Sequence, residues 1–123
     1  MRVGIMGAGI IAKKMALTLN LMEETTCYAI ASRSLEKAQD FAKENKVEKA
    51  YGSYEEMLLD EEVELVYIAT PHSHHYECAM LCLKYKKPVL CEKAFMANAA
   101  QTKEVLEAFE RENIFITEAI WTR

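Results

Sequence analysis

Short apolar runs and amphipathic stretches alternate along the chain. Residues 3–6 are compact and apolar and stop at Gly7, the pattern of a buried parallel strand. From Ile10 the period lengthens. Ile11, Met15, Leu19 and Met22 recur at helical spacing and predict a helix with these residues along one stripe. Residues 27–31 form a second apolar run. Ser34 then reads as an N-cap, with Glu36 in the first turn of a helix reaching about Asn45. Residues 49–51 predict a brief third strand, and Ser53-Tyr54-Glu55-Glu56 has the capping-box spacing of a short helix. Residues 63–69 predict a fourth strand, stopped by Thr70-Pro71. Tyr76, Ala79, Met80 and Leu83 would line one face of the next helix. Residues 88–91 predict a fifth strand and 114–117 a sixth. Between them, Asn98 and Gln101 are spaced as a cap pair, with Val105, Ala108 and Phe109 buried.

Apolar strands linked by helices imply a parallel sheet covered on both faces. With right-handed crossovers this is a doubly wound α/β fold, expected to form a single three-layer domain over residues 1–123. The composition, 51% hydrophobic and 28% charged, is that of a soluble globular chain. A net charge of −4 without a basic stripe gives no reason to expect nucleic acid or an anionic membrane as partner. No stretch has the apolar length to span a bilayer, and because the chain runs from Met1 straight into a strand pattern no leader is expected. Cys27, Cys78, Cys82 and Cys91 form no CxxC. A reduced, cytoplasmic protein is the expectation.

The chemistry begins at Gly7-Ala8-Gly9-Ile10-Ile11-Ala12. This matches G-x-G-x-x-[G/A] in the strand–turn–helix setting that the motif requires. Gly7 permits a tight turn, Gly9 a close approach of backbone to pyrophosphate, and Ala12 close packing of helix on strand. The pyrophosphate would sit at the helix N-terminus, where N–H groups and the dipole favour an anion, with Ile10 and Ile11 beside it. Cofactor choice is read at the end of the second strand, where an acidic residue would bind the ribose 2′-hydroxyl. Here the chain has Ala31-Ser32-Arg33-Ser34. Arg33 can pair with a 2′-phosphate and the serines can donate to it. NADP is therefore preferred, with NAD as the second option.

Two further loops fall at C-terminal strand ends, where open α/β sheets bind ligands. They are Thr70-Pro71-His72-Ser73-His74-His75 and Cys91-Glu92-Lys93-Ala94. With the glycine turn, in this order, they resemble the family of glucose–fructose oxidoreductase, inositol dehydrogenase and the rhizopine-catabolism dehydrogenases (Gfo/Idh/MocA). The resemblance covers essentially the whole chain. The ending Glu118-Ala119-Ile120-Trp121-Thr122-Arg123 resembles the branch with dihydrodiol dehydrogenase and NADP-dependent xylose dehydrogenase, which also favours NADP.

The resemblance implies an oxidoreductase that moves hydride between nicotinamide and a sugar or related secondary alcohol. It makes Lys93 the catalytic residue assisting proton transfer, with Glu92 beside the cofactor. Burial or a nearby cation can lower a lysine's pKa toward neutrality for that role. Thr70, Pro71, His72 and His75 match the loop bordering the cofactor, and Trp121 and Arg123 would reach toward the nicotinamide. Ala94 stands where the family has proline, so the cis peptide common there is disfavoured by about 2.5–4 kcal/mol. The family's mainly β substrate domain is expected to lie outside these residues. The expectation is a monomeric domain that binds cofactor with little turnover. The alternative is a non-catalytic dinucleotide-binding or sensor module. His74, Cys78 and Cys82 share one helix face, but no fourth ligand is spaced with them and helix cysteines commonly pack as small apolar residues. No metal is expected.

Overall fold

The computed structural model describes residues 1–70, 74–91 and 99–118, the last without its side chain. Among them, β1 (Arg2–Met6), β2 (Thr26–Ala31), β3 (Lys49–Tyr51), β4 (Leu65–Ile68), β5 (Val89–Cys91) and β6 (Ile116–Glu118) form one sheet. Every pairing is parallel, in the order β3-β2-β1-β4-β5-β6. The helices are α1 (Ile10–Leu21), α2 (Leu35–Asn45), α3 (Tyr54–Leu58), α4 (His75–Lys84) and α5 (Ala99–Glu112). No described helix is long and apolar enough to cross a membrane.

Side chains that alternate across each strand feed two cores. Val3, Ile5, Ile30 and Tyr67 join Ala12, Met15, Leu19, Ala38 and Phe41 of α1 and α2 on one face. Met6, Ala31, Val66, Ile68 and Val89 join Met57, Cys78, Ala79, Cys82, Val105 and Phe109 of α3, α4 and α5 on the other. This is the doubly wound fold that the alternation predicts.

Local chemistry sets the helix ends. Ser34 Oγ accepts from the Lys37 N–H at the start of α2, and Ser53 Oγ accepts from the Glu56 N–H at the start of α3. Lys46 (φ 57°), Lys86 (φ 57°) and Asn113 (φ 59°) turn the chain left-handed just beyond α2, α4 and α5, the usual way to satisfy the last carbonyls. Thus the Ile114 N–H donates back to the Phe109 carbonyl at 2.9 Å.

Several expectations are corrected. In α1 the buried residues are Ala12, Met15, Ala16 and Leu19, whereas Ile11 and Met22 are exposed. Two alanines let the helix lie close to the sheet, which rotates the buried stripe by one position. In α4 the sheet side is His75, Cys78, Ala79 and Cys82. The larger Tyr76, Met80 and Leu83 sit half-buried at its flank. β6 begins at Ile116 rather than 114, because the Asn113 turn uses up two residues. β4 begins at Leu65 rather than 63, since the Val63 N–H closes a turn onto the Asp60 carbonyl at 3.1 Å. The cap expected at Asn98 lies outside the described residues.

The strand order opens a place for a ligand. β2 and β4 flank β1, so the chain leaves β1 for one side and returns on the other. At such a switch point the loops beyond the strand ends part and leave a crevice.

Candidate functional site

The crevice is a groove of about 630 Å³ whose floor is the turn after β1. Gly7 has φ +96°, a conformation that side chains resist. A Cβ there would stand 3.0 Å from the Ala69 carbonyl oxygen. Both flanking strands hold this turn. The Gly7 N–H donates to the Ala31 carbonyl and the Ala69 N–H to the Met6 carbonyl, each at 2.9 Å. The fold itself therefore demands glycine at position 7.

Gly9 differs. Its φ of −99° is open to any residue, and a Cβ added to it would meet no heavy atom within 4 Å. Neither strain nor packing requires glycine here. The bare backbone faces the groove and leaves room for a ligand to approach closely.

Gly9 is also the N-cap of α1. It supplies no side-chain cap, and the first turn of α1 holds no acidic residue. By contrast α2 has Ser34 and Glu36, and α3 has Ser53, Glu55 and Glu56. The start of α1 thus presents backbone N–H groups and the positive end of the helix dipole to the groove, an arrangement suited to an anion such as a pyrophosphate. Ile10 and Ile11 line the same wall, with Ile10 largely exposed at 77%.

On the β2 side stand Ser32, Arg33 and Lys37. Ser32 is nearly buried. Its N–H donates to the Tyr51 carbonyl at 3.1 Å, and its Oγ accepts from the Ser34 N–H at 3.2 Å. Arg33 and Lys37 are exposed cations. Among the described residues no carboxylate lies within 4 Å of either. Tyr54, at the start of α3, closes this end of the groove. Burial pushes its phenol up, while the nearby Arg33 charge acts the other way.

On the β4 side the wall is Ala69, Thr70 and His74. Thr70 is buried, with its Oγ1 3.5 Å from Cys78 Sγ. Its carbonyl can only accept, so His75 Nε2–H donates to it at 3.0 Å. His75 is 1% exposed. It anchors the loop from inside, and the neighbouring His74 faces the groove.

The structure therefore brings together Gly7, Gly9, Ile10, Ile11, Ser32, Arg33 and Thr70 from the sequence expectation, and sets His75 behind the wall. Pro71, His72, Glu92, Lys93, Trp121 and Arg123 lie outside the described residues. Lys37, Tyr54 and His74 line the groove as well, beyond the sequence expectation. Lys37 had a signal, since it lies one helical turn beyond Arg33. Tyr54 had none, because only the fold brings α3 beside the β2 loop. Cys78 and Cys82 are buried thiols, raised by that burial.

A family described as "oxidoreductase family, NAD-binding Rossmann fold" matches residues 1–119. Trans-1,2-dihydrobenzene-1,2-diol dehydrogenase from Bos taurus is 42% identical over 125 aligned positions, covering 100% of this chain and 37% of that protein. The chain thus spans little more than a third of the length of that relative. A probable dehydrogenase from Thermotoga maritima superposes with a TM-score of 0.90 at 27% identity, over 97% of this chain and 36% of that one. A 3-ketoreductase from Actinomadura kijaniata, solved with TDP-benzene and NADP, superposes with a TM-score of 0.89 at 28% identity, over 96% and 37%.

Proposed function

The chain belongs to the Gfo/Idh/MocA oxidoreductase family with its NAD-binding Rossmann fold, and from that premise we propose that it is the cofactor-holding domain of an NADP-preferring dehydrogenase acting on a sugar or related secondary alcohol. The observation that carries the cofactor preference is the cationic end of the groove. Arg33 and Lys37 stand past β2 with no carboxylate within 4 Å among the described residues. A carboxylate there would repel a 2′-phosphate, whereas a guanidinium can bind it in a bidentate fork. The NADP held by the Actinomadura enzyme and the vicinal diol in the name of the Bos taurus relative agree with this reading.

The remaining residues divide the work. Bound nicotinamide dinucleotide supplies the hydride chemistry. The α1 N-terminus and the Gly7–Gly9 backbone hold the pyrophosphate. Ile10 and Ile11 exclude water from its flank. Thr70 and His74 form the opposite wall, and His75 fixes Thr70 through its carbonyl. Lys93 is assigned proton transfer at the substrate hydroxyl on the strength of the family motif, with Glu92, Trp121 and Arg123 toward the nicotinamide, and Pro71 and His72 in the loop after β4.

Calorimetric titration of the chain with NADPH and NADH tests the reading. Arg33→Ala should weaken NADPH roughly tenfold or more and leave NADH nearly unchanged. Equal affinity for the two nucleotides in the parent chain would overturn the NADP preference. In a full-length protein, Lys93→Ala should abolish turnover while NADPH affinity stays within about twofold.

A further inference from the structure

The side of α1 turned away from the sheet is apolar where a solvated helix would be polar. Ala12, Met15, Ala16 and Leu19 face the core. On the opposite side Leu17 is 56% exposed and Leu21 86%, with exposed Lys14 one turn before Leu17. Steps of about 100° per residue put Lys14, Leu17 and Leu21 on one line down the solvent side. Met22, just past the helix end, is exposed as well. The exposed residues of α2 after Leu35, by contrast, are all polar.

Leu17 and Leu21 also form one side of a cleft of about 530 Å³ at the C-terminal ends of α1 and α2, with Glu44, Asn45 and Lys46 on the other. Asn20 Nδ2 donates to the Asn45 carbonyl at 3.1 Å, and Asn45 Nδ2 donates to the Phe41 carbonyl at 3.0 Å. These bonds fix the two helix ends against each other. α1 begins at the cofactor groove and ends at this cleft, so roughly 16 Å of helix separates the two.

The charges along this face are sorted. Lys13 and Lys14 stand toward its start, Glu23 and Glu24 just past its end, and α1 itself has no acidic residue. Among the described residues neither lysine has a carboxylate within 4 Å, and neither glutamate a cation. The turn that carries the glutamates is tied back to the helix, since Thr25 Oγ1 donates to the Leu19 carbonyl at 3.2 Å. A face that is positive at one end, apolar in the middle and negative at the other complements a reversed copy of itself.

We propose that the outer face of α1 is the surface through which two copies of this chain associate, antiparallel and about a two-fold axis. Leu17 packs on Leu21 of the second copy, and Lys14 reaches Glu24 of the second copy, each contact made twice by symmetry. The cleft widens the strip that a second copy covers. The contact ends at Lys13 and Lys14, short of Ile10, so both cofactor grooves stay open. A dimer thus replaces the monomer expected from sequence. A patch of this size belongs to the weak class below about 1,200 Å², with a dissociation constant of about 10–100 µM.

Sedimentation equilibrium over about 5–500 µM tests the proposal. The parent chain should pass from monomer to dimer across that range. Leu21→Asp should stay monomeric throughout, with a thermal midpoint in dilute solution within about 2 °C of the parent. A second arm reverses charges. Lys13→Glu with Lys14→Glu in one chain, and Glu23→Lys with Glu24→Lys in another, should leave each chain monomeric alone, because like charges then meet. Mixed in equal amounts, the two chains should form a heterodimer. A parent chain that is monomeric at about 500 µM would overturn the proposal. So would a dimer that survives Leu21→Asp, or charge-reversed chains that pair no better together than apart.

Discussion

Tyr51 donates its hydroxyl to Asp60 Oδ2 at 2.6 Å, which ties the end of β3 to the turn that follows α3. Tyr28 donates to the same oxygen at 2.9 Å, and the Glu62 N–H to Oδ1 at 2.9 Å. Burial pushes the Asp60 carboxyl up, but the hydrogen bonds from Tyr51, the Glu62 N–H and Tyr28 outweigh it and leave the group below its ordinary 3.8. Tyr28 moves the other way, pushed up to about 12 by burial and then by Asp60. A carboxyl whose folded pKa lies below its unfolded one adds stability above the unfolded pKa and loses it as pH falls through the folded pKa. Asp60→Asn should therefore destabilise the chain at neutral pH, and the gap from the parent should narrow as pH falls below about 4. Urea midpoints across that range check this. A gap that stays constant to about pH 2 would count against it.

The two glycines of the turn should separate folding from binding. Gly7→Ala forces a Cβ against the Ala69 carbonyl at positive φ and should cost about 1–3 kcal/mol of stability. Gly9→Ala places its methyl in open groove. Thermal stability should hold within about 0.5 kcal/mol while NADPH affinity drops roughly tenfold or more. Melting curves and titrations on the same two proteins decide the matter. Loss of stability without loss of binding in Gly9→Ala would mean that the methyl meets protein rather than ligand.

Phe109 carries much of the core beneath α5. It is 1% exposed, whereas Phe115 is 62% exposed. Phe109→Ala should cost about 3–5 kcal/mol by transfer loss and the cavity it leaves. Phe115→Ala should fall within about 0.5 kcal/mol of the parent. Equilibrium unfolding of both variants reads the contrast.

The buried thiols should be inert in the folded chain. Burial raises Cys27 to about 12 and pushes Cys78 and Cys82 up as well. Thiolate is the reactive form, so labelling by a disulfide reagent at neutral pH should follow opening of the fold. Native rates should lie about a hundredfold or more below those in urea. Rapid native labelling of Cys78 would show that the wall between α4 and the groove opens readily.

Much of the architecture was legible because the two periods differ so plainly. Residues 3–6 and 27–31 are solid apolar runs of strand length, and Ser34 and Ser53 mark helix starts that the structure reproduces. Phase was harder. In α4, counting large apolar residues selects Tyr76, Met80 and Leu83, yet close packing on the sheet favours small ones, and Cys78, Ala79 and Cys82 take that side. The same packing places His75 inside and leaves His74 on the groove. Neighbouring residues on a helix differ by about 100°, so a motif match alone cannot choose between them. The glycine turn and Arg33 could be read locally. Tyr54 could not, because only the fold brings the start of α3 to the end of the groove.

That sheet order reaches beyond placement. Val3 pairs with Leu65 and Met6 with Ile68, so the seam under the groove joins two distant stretches of the chain. The first stretch carries the floor and the cationic end, and the second supplies the opposite wall. The groove comes into being only when long-range pairing closes, a late event for such contacts. A nucleotide lying across the seam would then act as a clasp, and its binding energy would appear as resistance of the two stretches to coming apart. Cofactor occupancy and mechanical integrity would rise and fall together.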